Sequence, residues 1–172
     1  YSINDTATAI AGGVVEDLAV INGADAIVAN TNATFAEAAT MSGIAKAISY
    51  SISDEQANIP NSTNGSINEA INITITDDVT FAQAKIIDDG SNSGSNTYSV
   101  NDTATNLSNG TVTSVNALNG AQAVTASSNA TAVEAAKIAS ISHAVVYSIS
   151  DTAANIVANI GGLNESVNIT ST

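Results

Sequence analysis

The 172-residue sequence predicts an α/β fold, specifically a repeat solenoid of stacked parallel β-strands with short helices. Three observations carry this expectation. A near-identical string returns at near-constant spacing. Each repeat divides into two related halves that both read strand, turn, helix. The strands lie too far apart in sequence for hairpins, so they should pair in parallel through right-handed crossovers.

The first string, YSINDTATAI from Tyr1, returns as YSISDEQANI from Tyr50, YSVNDTATNL from Tyr98 and YSISDTAANI from Tyr147. The second half reads IVANTNATFAEAA from Ile27, ITITDDVTFAQAK from Ile73 and VTASSNATAVEAA from Val124, with a shortened ITST from Ile169. The repeat is thus about 49 residues long and holds two rungs of about 24 residues each. Residues 1–172 form one array, divided into repeats 1–49, 50–97 and 98–146 and a partial repeat 147–172. At about 4.8 Å per strand, some seven rungs would extend roughly 34 Å.

In the first half, Tyr50 and Ile52 alternate with Ser51 and Ser53, the period of two of a strand with one buried face. Asp54 ends that strand and is expected to cap the following helix, as are Asp5, Asp102 and Asp151 at the same place. In the second half, Ile73 and Ile75 alternate with Thr74 and Thr76 before a capping box. Thr34 with Glu37, Thr80 with Gln83 and Thr131 with Glu134 all have the spacing that satisfies two helix N–H groups reciprocally. Gly12, Gly13, Gly65, Gly110, Gly120, Gly161 and Gly162 fall around the first-half helix, where left-handed turns are expected, and Pro60 interrupts the second repeat there. Asp88 to Thr97 has no apolar residue and reads as a flexible loop.

Composition narrows the function classes. Three basic residues against sixteen acidic ones give a net charge of −13, which repels nucleic acid and anionic lipid alike. No apolar run approaches the roughly 18 residues of a membrane span, so membrane insertion is not expected. The absence of Cys excludes disulfides, thiolate metal sites and cysteine nucleophiles. Aromatic residues make up 3% of the chain, and a core of Ala, Ile and Val suits elements that stack closely.

No residues converge on a chemistry, so no catalytic, cofactor-binding or metal-ligating residue is expected. His143 stands alone between Ile141 and Val145 and reads as a packing residue. Asp77, Asp78, Asp88 and Asp89 have the chemistry of an acid–base pair, but Asp78 is the counterpart of Asn32 and Asn129 and reads as part of a turn. Asp5, Asp54, Asp102 and Asp151 would lie about 9.6 Å apart, too far to share one calcium ion directly, so calcium enters only as weak surface binding. Tyr1, Tyr50, Tyr98 and Tyr147 should fill the core at every second rung. The outward set, among it Ser51, Ser53, Thr74, Thr76, Thr125 and Ser148, would suit ice, glycan or mineral, with Val28 interrupting it. Sequons recur, for example at Asn4, Asn32, Asn72, Asn129 and Asn168.

The pair YSISDTAANI and NITITDDVTFAQA resembles tandem repeats of very large secreted bacterial surface proteins of the adhesin and haemolysin-like kind, common in cyanobacteria and aquatic proteobacteria. The likeness spans the whole chain at motif level. It implies an extracellular or cell-surface, non-enzymatic spacer or coat, often beside calcium-binding nonapeptides, which this chain lacks. The low Lys content and the absence of Arg agree with that setting. Because both ends fall in strand motifs, the sequence reads as a piece of a longer chain, or as a segment whose identical copies stack head to tail.

Overall fold

A computed structural model describes residues 1–172 as a mixed α/β protein whose strands pair in parallel. The chain divides into two compact units, one of Tyr1–Asp77 with Asp89–Thr97 and one of Asp78–Asp88 with Tyr98–Thr172.

In the first unit, β1 (Ser2–Asp5) leads into α1 (Ala7–Asn22), β2 (Ala26–Ala29), α2 (Phe35–Met41), β3 (Ile48–Ser49) and β4 (Ile52–Asp54). A 3₁₀ turn (Gln56–Asn58), α3 (Gly65–Asn68) and β5 (Ile73–Val79) follow. The second unit holds α4 (Phe81–Asp88), most of β6 (Asn96–Asp102), α5 (Ala104–Thr113), α6 (Val115–Asn119) and β7 (Val124–Ala126). It continues through α7 (Ala132–Ile138), β8 (Val145–Val146), β9 (Ile149–Asp151), α8 (Ala153–Ala158), a second 3₁₀ turn (Ile160–Gly162) and β10 (Ile169–Ser171).

One register recurs. Ile3 sits opposite Ile27, Ile52 opposite Ile73, Val100 opposite Val124 and Ile149 opposite Ile169, so the first and second halves of every repeat pair alike. A one-residue slip would turn these apolar side chains to solvent, which fixes the alignment. Ile27, Ile52, Ile73, Val100, Val124 and Ile149 are buried.

The return pairing contains a bulge. Val28 lies opposite Ser49, and the next bridge joins Ala33 to Ile52, so residues 29–32 stand against residues 50 and 51. The same step separates Thr125 opposite Val146 from Ala130 opposite Ile149. Ala33 and Ala130 re-enter the core at 0% exposure, which pushes the residues before them outward. The second repeat differs. Its β5 runs unbroken from Ile73 through Asp77 and Asp78 to buried Val79, so the turn expected at Asp78 is a strand.

Several sequence expectations need correction. No glycine has a positive φ, so none makes a left-handed turn, and some serve close approach instead. A Cβ on Gly110 would meet the Phe81 ring at 2.8 Å, and one on Gly162 would meet the Ala135 carbonyl at 2.5 Å. Tyr50, Tyr98 and Tyr147 are buried, but Tyr1 is 64% exposed because β1 is covered on one side only, by β2. The second repeat replaces the long first-half helix with the 3₁₀ turn and α3, since Pro60 cannot continue a helix. The polar segment after α4 is tied down: Ser91, Ser93 and Ser95 donate their N–H groups to Asn68 Oδ1, the Ala70 carbonyl and Asn72 Oδ1.

Candidate functional site

The most regular chemistry in the chain lies where strands hand over to helices. The helix-capping side chain is the Thr after each strand-ending Asp: Thr6, Thr103 and Thr152 accept from Ala9, Asn106 and Asn155 N–H. The capping role expected of Asp5, Asp54, Asp102 and Asp151 therefore passes to the next residue where that residue is Thr.

The Asp reaches across to the helix of the preceding half-repeat instead. Asp54 Oδ2 accepts from Phe35 N–H at 2.8 Å, Asp102 Oδ2 from Phe81 N–H at 2.9 Å and Asp151 Oδ2 from Ala132 N–H at 3.1 Å. Each donor is the first residue of a second-half helix. The other oxygen, Oδ1, accepts from the following N–H and from an Asn one turn on: Glu55 and Asn58, Thr103 and Asn106, Thr152 and Asn155. First-half helices receive the same service. Ala7 N–H donates to Thr31 Oγ1, Ala104 N–H to Ser128 Oγ, and Gln56 N–H to Asp77 Oδ1 at 2.6 Å. Helix N-termini thus find acceptors in the half-repeat that follows in sequence, where the dipole favours negative charge.

Electrostatics agree with this geometry. Burial works against the charge of Asp54, but the bonds from Asn58, Phe35 and Glu55 outweigh it and hold the carboxyl below its ordinary range. Asp151 is lowered by Asn155, Ala132 and Thr152. All three capping boxes form, Thr80 with Gln83 included. Burial likewise opposes the charge of Glu37 and Glu134, yet hydrogen bonds from Thr8 and Thr34, and from Thr131 and Thr105, lower both.

Two further ladders sit at the opposite helix ends. Tyr50, Tyr98 and Tyr147 donate their hydroxyls to the carbonyls of Ser66, Ala117 and Gly162 at 3.0, 2.9 and 2.6 Å, and exposed Tyr1 does the same to Val20. Burial pushes all three inner phenols upward, with Glu69, Asp88 and Glu165 adding to it in turn. Asn22, Asn68 and Asn119 accept through Oδ1 from the N–H groups of Ala45, Ser91 and Ser142. Sequence reading missed this column, although INGA, INEA and LNGA repeat in register with it.

The remaining candidates do not come together. Asp77 is committed to Gln56 N–H, and Asp78 lies exposed on β5. His143 is half-buried with a buried, partnerless Nε2. No three His, Asp or Glu side chains gather as a metal site, and no helix is long and apolar enough to cross a membrane. The sequon asparagines Asn4, Asn32, Asn72, Asn129 and Asn168 are all exposed. The outward strand residues do not form one uninterrupted polar column: Asn4, Val28 and Ser49 align in one place, and Asn101, Thr125 and Val146 in another.

Among open hollows, one of about 410 Å³ in the second unit is lined by Ser127, Asn129, Ser148, Val146 and Val167. Compared with known proteins, the chain matches no family model, no curated protein and no solved structure.

Proposed function

We propose that the chain is a non-enzymatic structural repeat segment, a solenoid of stacked parallel rungs belonging to an extracellular or cell-surface fibre, coat or adhesin stalk. One observation carries the reading: the hydrogen bonds that define each rung join it to the next, and they recur in register. Asp54, Asp102 and Asp151 each hold the preceding helix start, and Asn22, Asn68 and Asn119 each hold the following loop. A chain that invests its repeated polar residues in rung-to-rung contacts is built to extend. The tandem-repeat resemblance points the same way, and the partners of such a segment are adjacent repeats or identical copies stacked head to tail. Calcium has no place in this reading beyond weak binding to an acidic surface.

The test is removal of residues 50–146, which joins Ser49 to Tyr147 and so re-forms the junction that normally precedes Tyr50. An array should refold around the new junction, with the per-residue far-UV dichroism of the parent and one cooperative melt. Failure to fold would refute the solenoid. Surface labelling of intact source cells with an antibody to the segment tests the location, and purely internal staining would exclude it.

A further inference from the structure

We propose that the hollow between the β7 bulge and Tyr147–Ser148 is a binding site for a neutral carbohydrate. This rests on no part of the array reading and concerns the second unit alone.

The argument starts from a comparison of equivalent positions. In the first unit, the polar residues at this place are used internally: Asn30 Nδ2 donates to Asn4 Oδ1 at 3.0 Å, and Ser51 Oγ accepts from Asn72 N–H at 3.3 Å. Their counterparts in the second unit are Ser127 and Ser148, whose hydroxyls bond no protein group; the amide of Asn129, like that of its counterpart Asn32, bonds none either. Ser49 is replaced by Val146, and Ile71 by Val167. Val146 is 54% exposed. The second unit therefore presents two hydroxyls and an amide beside apolar surface in a hollow of about 410 Å³.

The class of occupant follows from what is absent and what is already used. No ionisable side chain except the buried Tyr147 lines the hollow, and the chain's charge of −13 repels anions. A cation would find no carboxylate there. A peptide adding as a strand needs free main-chain groups, but the Tyr147 carbonyl accepts from Val167 N–H and the Ser148 carbonyl from Ala130 N–H. A neutral sugar fits better, because its hydroxyls are both donors and acceptors for Ser and Asn, and its C–H faces suit valine. With no exposed aromatic ring to stack on, binding should be weak.

Saturation-transfer NMR on the full chain, titrated separately with methyl β-glucoside, methyl β-galactoside, N-acetylglucosamine and chitobiose, tests this. The expected result is saturable transfer from at least one sugar, weakened about tenfold by Ser148→Ala or Asn129→Ala, the loss of roughly one hydrogen bond. Val146→Ser, which restores the residue type of the first unit, should weaken it as well. Asn129 and Val146 are exposed and Ser148 is half-buried with an unbonded hydroxyl, so the variants should melt close to the parent. No saturable transfer up to about 50 mM (a Kd beyond useful affinity), transfer unchanged in the variants, or preference for a Gly-Ser peptide over every sugar would each overturn the proposal. Sugar binding could fail while the chain lacking residues 50–146 still folds, so the two readings fall separately.

Discussion

Replacing Asp54 with Asn keeps the shape of the side chain and removes only its charge and one acceptor. In the parent, Oδ2 accepts from Phe35 N–H at 2.8 Å, and Oδ1 accepts from Glu55 N–H at 2.9 Å and Asn58 Nδ2 at 2.7 Å. All three groups are donors. An amide must therefore turn its NH₂ towards at least one of them, and the side chain is 8% exposed, so water cannot relieve the clash. An unsatisfied buried donor costs about 1–3 kcal/mol, and the bonds that remain lose the share owed to the carboxylate charge. Asp54→Asn should cost about 2–4 kcal/mol in all, by those magnitudes. Asp5 is the internal control: it is exposed and accepts only from Thr6 N–H, at 2.8 Å, so Asp5→Asn should cost about 0.5 kcal/mol or less. Urea unfolding followed by far-UV dichroism at pH 7 separates them, with a midpoint shift of about 1–2 M for Asp54→Asn and little for Asp5→Asn. Equal losses in the two variants, or less than about 1 kcal/mol at Asp54, would refute its role in holding the start of α2.

Two other outcomes follow from the same geometry. Asp54, Asp151, Glu37 and Glu134 are held below their ordinary values, so the stability they contribute is complete above the unfolded values of about 4 and is lost as pH falls through the folded ones. Tyr50, Tyr98 and Tyr147 are raised, so their contribution is complete below the unfolded value of about 10 and is lost as pH climbs beyond it. Melting temperature should therefore be highest between about pH 5 and 9, and a melt that keeps rising down to pH 3 would mean that relief of self-repulsion dominates instead. The glycines supply the second outcome. Gly12→Ala, inside α1 with nothing within 4 Å of its Cβ, should stabilise by about 0.5–1 kcal/mol. Gly162→Ala, with the Ala135 carbonyl 2.5 Å from the new Cβ, should instead lower the melt markedly, and thermal dichroism of the pair reads the contrast.

The strands and their partners were legible because apolar alternation at Ile52 and Ile73 admits one register, and repetition removed the usual ambiguity of short apolar runs. The capping boxes were legible because Thr34 and Glu37 carry their geometry in local spacing. What escaped the sequence depends on groups distant in sequence. Asp54 looks like a local cap, since Asp is as good an acceptor as Thr, and only the position of the Phe35 N–H shows where its second oxygen goes. The glycines looked like turn residues for the same reason, because the Phe81 ring that excludes a Cβ at Gly110 lies far away in sequence. The hollow beside Tyr147 was illegible altogether: Ser127 and Asn30 are equally polar, and what distinguishes them is that Asn30 is spent on Asn4.

The helix-start bonds of these carboxylates also change what the acidic composition means. Asp5, Glu37, Asp54, Asp77, Asp102, Glu134 and Asp151 all accept hydrogen bonds from N–H groups at helix or 3₁₀ starts, and Asp17 does so for Val20 where α1 kinks. Half of the sixteen acidic residues are therefore committed to the positive ends of helices. Helices that each follow a strand of the same direction bring like dipole ends to the same side of a unit, where carboxylates lower the mutual repulsion as well as capping single N–H groups. Two of the three lysines, Lys85 in α4 and Lys137 in α7, stand in last helical turns, while α3, α6 and the second 3₁₀ turn are served by Tyr hydroxyls, which donate to carbonyls without adding charge. A chain built this way becomes more acidic with every repeat it adds, whatever it binds. Half of the acidic residues behind the net charge of −13 thus serve helix starts, and a ligand is better sought where side chains are left without an internal partner, as at Ser127, Asn129 and Ser148.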